Sequence, residues 1–85
     1  MKEQRIGVVS HYFSHLGVAA IVLEGELAVG DTIRIKGHTS DFTQTVDSIQ
    51  LEHATIPKAQ KGQDVGIKVK EHAREHDVIY KIVGE

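Results

Sequence analysis

Thr32-Ile33-Arg34-Ile35-Lys36 and Asp64-Val65-Gly66-Ile67-Lys68-Val69-Lys70 decide the fold class. In both stretches branched apolar residues alternate with charged or small ones. A period of two places the two sets on opposite faces of a strand. The rest of the chain agrees, with nineteen Val and Ile against four Leu. Branching at Cβ stiffens χ1 and suits a pleated surface, whereas helices favour Leu, Ala and Met. This is an all-β chain.

Working outward, six strands are expected. Gln4 to Ser14 is the first and turns at Ser14-His15-Leu16-Gly17. The second, Val18 to Glu24, is continuously apolar through Val18-Ala19-Ala20-Ile21-Val22-Leu23, which implies burial on both faces or a strand bent around a corner. Gly25 to Asp31 is a connection anchored by Leu27 and Val29, and Thr32 to Lys36 is the third strand. Phe42 to His53 reads as one long strand whose inward set shifts phase, which a β-bulge near Asp47-Ser48 would reconcile. Pro57 keeps Ile56 to Gly62 out of a central ladder. Asp64 to Lys70 is the fifth strand, Glu71 to His76 a loop or one helical turn, and Val78 to Val83 the sixth. Six antiparallel strands with short connections close into one barrel, because closure removes unpaired edges.

Composition bounds the function. At 85 residues the chain holds one small core and no deep cleft between lobes. Ten Lys and Arg against twelve Asp and Glu leave a formal charge of -2, so a nucleic-acid contact must come from a local patch. The lack of cysteine excludes disulfides and thiolate chemistry and favours a cytoplasmic setting. No secretory leader or apolar membrane span is expected.

At Leu27-Ala28-Val29-Gly30-Asp31-Thr32-Ile33-Arg34-Ile35 the sequence resembles the second domain of the translational GTPases, a β-barrel in elongation and initiation factors. The resemblance continues through Val46-Asp47-Ser48-Ile49 and Ala59-Gln60-Lys61-Gly62-Gln63-Asp64-Val65-Gly66-Ile67, and closes at Asp77-Val78. Each block has a structural reason. Gly30 takes a positive φ beside Asp31, which hydrogen-bonds backbone two residues on, and Gly62 turns the chain in the same way. Two departures stand out. His76 occupies a position where the family has Gly, so that turn is built differently or strained. No phosphate-cradling G-x-x-x-x-G-K-[ST] occurs, so neither a GTP-binding domain nor nucleotide hydrolysis is expected. The resemblance implies one free-standing elongation-factor-like barrel over residues 1–85.

No catalytic group is assigned. Ser10-His11 and Ser14-His15 are sequence neighbours, which point to opposite faces of a strand. His72 and His76 would share a face only on a helix, and that spacing is a weak metal motif, so no metal or cofactor is assigned. Of Tyr12 and Phe13, one ring is expected in the core and the other at the surface.

Alternation sends Arg34, Lys36, Lys68 and Lys70 outward. With His38 in the neighbouring turn they are the candidate RNA-contacting residues, ribosomal RNA or tRNA being the partner that the resemblance implies. The resulting expectation is a monomeric, non-enzymatic RNA-binding module of protein biosynthesis. The alternative is a protein-interaction barrel. Similar barrels form the C-terminal domain of some collagenase-like peptidases, including ones linked to RNA modification. In that case exposed apolar side chains such as Phe42, Ile56 and Ile79 would make the contact.

Overall fold

Alternate branched residues build ten strands in the computed structural model, which describes residues 2–83; the ends of the expected 1–85 domain, residues 1, 84 and 85, lie outside it. The strands are β1 (Lys2–Phe13), β2 (Val18–Leu23), β3 (Leu27–Ala28), β4 (Thr32–Lys36), β5 (Asp41–Thr45), β6 (Ile49–Leu51), β7 (Ala54–Ile56), β8 (Lys58–Ala59), β9 (Asp64–Lys68) and β10 (Val78–Val83). Eight of them form one antiparallel sheet in the order β5-β4-β10-β1-β2-β9-β6-β7, and β3 pairs with β8 in a two-stranded sheet. No helix occurs among the described residues.

The expected six-stranded closed barrel is therefore corrected: the fold is all-β and antiparallel, but its main sheet has eight strands and is not closed. The expected long strand from Phe42 to His53 accounts for the difference. Its phase shift is no bulge. The chain leaves β5 at one end of the sheet and enters β6 near the other. Val46, at this crossing, is held by the Gly30-Asp31 turn: its N–H donates to the Asp31 carbonyl at 2.8 Å, and its carbonyl accepts from Gly30 at 2.9 Å. The real irregularities lie in β1, between Arg5 and Gly7 on its β10 side and between Val9 and His11 on its β2 side.

One buried cluster takes side chains from strands at both ends of the order. Phe42 of β5 shares it with Ile49 of β6, Ile33 and Ile35 of β4, Ile21 of β2 and Ile67 of β9. A sheet whose far strands fill the same core has to roll over on itself, and a seam then remains between β5 and β9. Gln44 of β5 spans it. Its side chain donates to the Lys68 carbonyl at 2.7 Å and accepts from the Lys70 N–H at 2.8 Å. Farther along, the Ser40 hydroxyl faces the His72 carbonyl at 3.5 Å. A side-chain rung replaces the missing ladder.

The turns show where the backbone is strained. Gly30 and Gly62 take φ of 96° and 91°, as the sequence requires. Asp31 reaches three residues back instead of two on, its Oδ2 accepting from the Ala28 N–H at 2.9 Å. The 71–76 segment is a loop with no helical turn, and His76 adopts φ 75°, the strain that its place in a glycine position implies. Between β6 and β7, Glu52 at 51° and His53 at 69° form a two-residue turn with both φ positive, where Asn-Gly is preferred. Left-handed conformation costs a residue with a Cβ roughly 1–2 kcal/mol. The double substitution Glu52→Asn/His53→Gly is therefore expected to stabilise the fold by about 1–2 kcal/mol, read as a higher urea midpoint at unchanged slope.

Candidate functional site

The residues assigned to RNA contact lie on both sides of the seam. Arg34 and Lys36 are on β4. Lys68 ends β9, with Lys70 just beyond it, and β5 runs between the two pairs. His38 sits in the turn that the Gly37 N–H closes onto the Ser40 carbonyl at 2.7 Å. Arg34 is fully engaged. Its Nε and Nη2 donate to both Asp41 oxygens at 2.8 Å, and its Nη1 donates to Glu3 at 2.7 Å. These bonds raise the Arg34 pKa still higher, and the fork from Arg34 holds the Asp41 carboxyl below its ordinary value. A depression of about 760 Å³ around this network is also lined by Glu71 and Phe42. The local field is mixed, with three carboxylates around one guanidinium.

Among the described residues, the candidate nucleophiles and bases are not brought together. The buried Ser40 addresses a backbone carbonyl and no imidazole. His11 meets Glu75 at 3.2 Å on the surface, and His72 stacks on Tyr12 with ring centroids 4.5 Å apart. Because residues 71–76 form no helix, His72 and His76 lose the shared face that their spacing would have given them. Among the described residues, no group of three or more His, Asp or Glu side chains is arranged to hold a metal ion.

The apolar surface lies elsewhere than expected. Phe42 is 8% exposed and Ile79 is fully buried, while Ile56 packs half-buried against the core. Phe42 and Ile79 are therefore not the exposed contact residues expected, and Ile56 offers only part of its side chain. Alternation on β5 turns Phe42 inward with Gln44, and Val46 just beyond the strand follows them; Ile79 pairs with Ile35 in the centre of the sheet. The exposed large apolar side chains are Phe13, Leu16, Val22 and Val29. Tyr12 packs on the core and its neighbour Phe13 faces out, as opposite sides of a strand require. Phe13 and Leu16 lie at the turn that joins β1 to β2, and Val22 is on the outward face of β2 toward its other end. The continuous apolar run of β2 was their signal in the sequence: Ala19, Ile21 and Leu23 fill the core, while Val18, Ala20 and Val22 line the other face.

No family model matches the chain. Among curated proteins it is 45% identical over 78 residues to a collagenase of Porphyromonas gingivalis, a match that covers 89% of this chain and 22% of that protein. It is also 38% identical over 80 residues to an uncharacterized protease of Methanocaldococcus jannaschii, covering 93% of this chain and 20% of that one. The chain thus spans about a fifth of the length of these relatives. Among solved structures it is similar to the C-terminal domain of a candidate U32 peptidase of Geobacillus thermoleovorans, with a TM-score of 0.88, 24% identity and coverage of 94% of this chain and 93% of that one. That likeness shows the fold.

These matches overturn the resemblance to the second domain of translation factors, and with it the elongation-factor and protein-biosynthesis assignments. The blocks that carried the resemblance are turn and core positions. The Gly30-Asp31 turn, Ala59 under its loop and the Gly62 turn meet requirements of small β folds generally, and such requirements do not discriminate among families.

Proposed function

We propose that this chain is a non-catalytic accessory domain of a collagenase-like peptidase, acting by docking beside a larger proteolytic body. The observation that carries this reading is a 45% identity spread over 89% of the chain yet confined to 22% of the collagenase it matches. Contact with RNA draws less support, because Asp41 and Glu3 already engage Arg34.

The test is a chimera in which this chain replaces the matched segment of the Porphyromonas gingivalis collagenase. Calorimetry is expected to show one cooperative transition for the whole chimera, with the collagenase's own activity kept within a few-fold. Two independent transitions, one of them at the melting temperature of the isolated chain, would overturn the reading.

A further inference from the structure

The outward face of β2 is the strongest unexplained surface of the molecule. An antiparallel strand with one face on the core ordinarily turns polar side chains to water on the other. β2 turns Val18, Ala20 and Val22 outward instead. Phe13 of β1 pairs opposite Val18, and Gly66 of β9 pairs opposite Ala20. Leu16, at the tip of the β1–β2 turn, is 64% exposed, and Phe13 and Val22 are 43% and 39% exposed. A depression of about 330 Å³ is lined by Phe13, Leu16, Val18 and Ala20 together with Glu52 and Asp64. Gly66 lines it too, with a Val18 methyl packed over its backbone.

The character of the occupant follows from the rim. Asp64 pairs opposite Val22, and Glu52 stands in the β6–β7 turn. Among the described residues neither carboxylate makes an ion pair, nor do Asp47, Glu71 and Asp77; at the other end of the face Lys68, also without an ion pair, stands opposite Val18. At the end carrying Glu52 and Asp64, which line the depression while Lys68 does not, the apolar strip is complementary to apolar side chains flanked by Lys or Arg. The curated relatives supply the candidate, since each carries about four-fifths of its length beyond the segment that matches this chain. Tethering at millimolar effective concentration lets a patch of a few side chains hold such a contact.

We propose that the β2 face, centred on Phe13, Leu16, Val18 and Val22, is the surface on which the body of a collagenase-like peptidase docks, with a basic residue of that body meeting Glu52 or Asp64. This rests on the accessory-domain reading above.

The experiment uses the same chimera, with and without Leu16→Lys/Val22→Lys. Both positions are exposed, so the isolated chain carrying the pair is expected to melt within a few degrees of wild type. In the wild-type chimera, amides of residues 15–22 are expected to exchange at least tenfold more slowly than in the isolated chain. The double substitution should abolish that protection and split the single transition. If the substituted chimera stays coupled and protection falls on β4 and β5, the surface is wrong while the accessory reading stands. If the wild-type chimera already melts as two independent parts, the reading itself fails and the surface with it.

Discussion

Replacing Gln44 by Leu is expected to destabilise the domain by about 3 kcal/mol, although the side chains are of similar size. The amide bridges the seam, and its loss leaves the Lys68 carbonyl and the Lys70 N–H without their partner. Each orphaned group in a dry setting costs roughly 1–3 kcal/mol, which outweighs the gain from a more apolar side chain. In a domain of this size that corresponds to a fall of about 10–20 °C in melting temperature. Gln44→Glu separates the two bonds. The introduced carboxylate can still accept from Lys70, but it faces the Lys68 carbonyl with no proton to donate. Protonation restores the donor, so the folded state raises the pKa of this carboxyl. The variant's deficit relative to wild type should therefore be largest at neutral pH and shrink as pH falls through that raised value. A deficit that does not change between pH 7 and 4.5 would contradict the seam assignment.

The second large effect is expected at Gly7, for a reason of space alone. A Cβ built there would lie 2.8 Å from the Val22 carbonyl oxygen and 2.8 Å from Ile21 Cγ2. The first obstacle is backbone in the middle of the sheet and cannot rotate away. Gly7→Ala should therefore destabilise by about 2–3 kcal/mol, in the range of other overpacked cores, read from the urea midpoint. Gly66→Ala is the control. Its nearest obstacle is a Val18 methyl at 3.3 Å, at the rim of an open face. That variant should stay within about 0.5 kcal/mol of wild type, as surface changes usually do. Equal losses at the two positions would mean that glycine is needed in these strands for reasons other than close approach.

The two variants also mark what the sequence disclosed. Alternation placed Ile33 and Ile35 inside and Arg34 and Lys36 outside, and the structure agrees. The same rule applied from Phe42 to Val46 puts Gln44 on the inward face. A polar residue there was the legible sign of a seam, but the phase shift that follows it resembled a bulge. What no local pattern discloses is that the chain crosses from one end of the sheet to the other at Val46, since that depends on a contact with the distant Gly30-Asp31 turn. Arg34 reads as a free outward cation because its partners, Glu3 and Asp41, come from the two flanking directions of a rolled sheet. The apolar outer face of β2 was visible as an uninterrupted run. Only the fold shows that half of that run is left uncovered.

The pairing of β1 with β10 has a consequence for how the domain is made and joined. Val8 lies against Val78, and Lys2 against Val83, so β1 cannot complete its ladder until β10, some seventy residues further along, has been made. Assembly of this kind is slow and nearly all-or-none, with formation times of milliseconds to seconds. It also brings the two ends of the described region side by side. A few residues joining position 83 to position 2 would close the backbone into a ring, and new ends opened at the exposed Glu52-His53 turn would give a circular permutant with every strand intact.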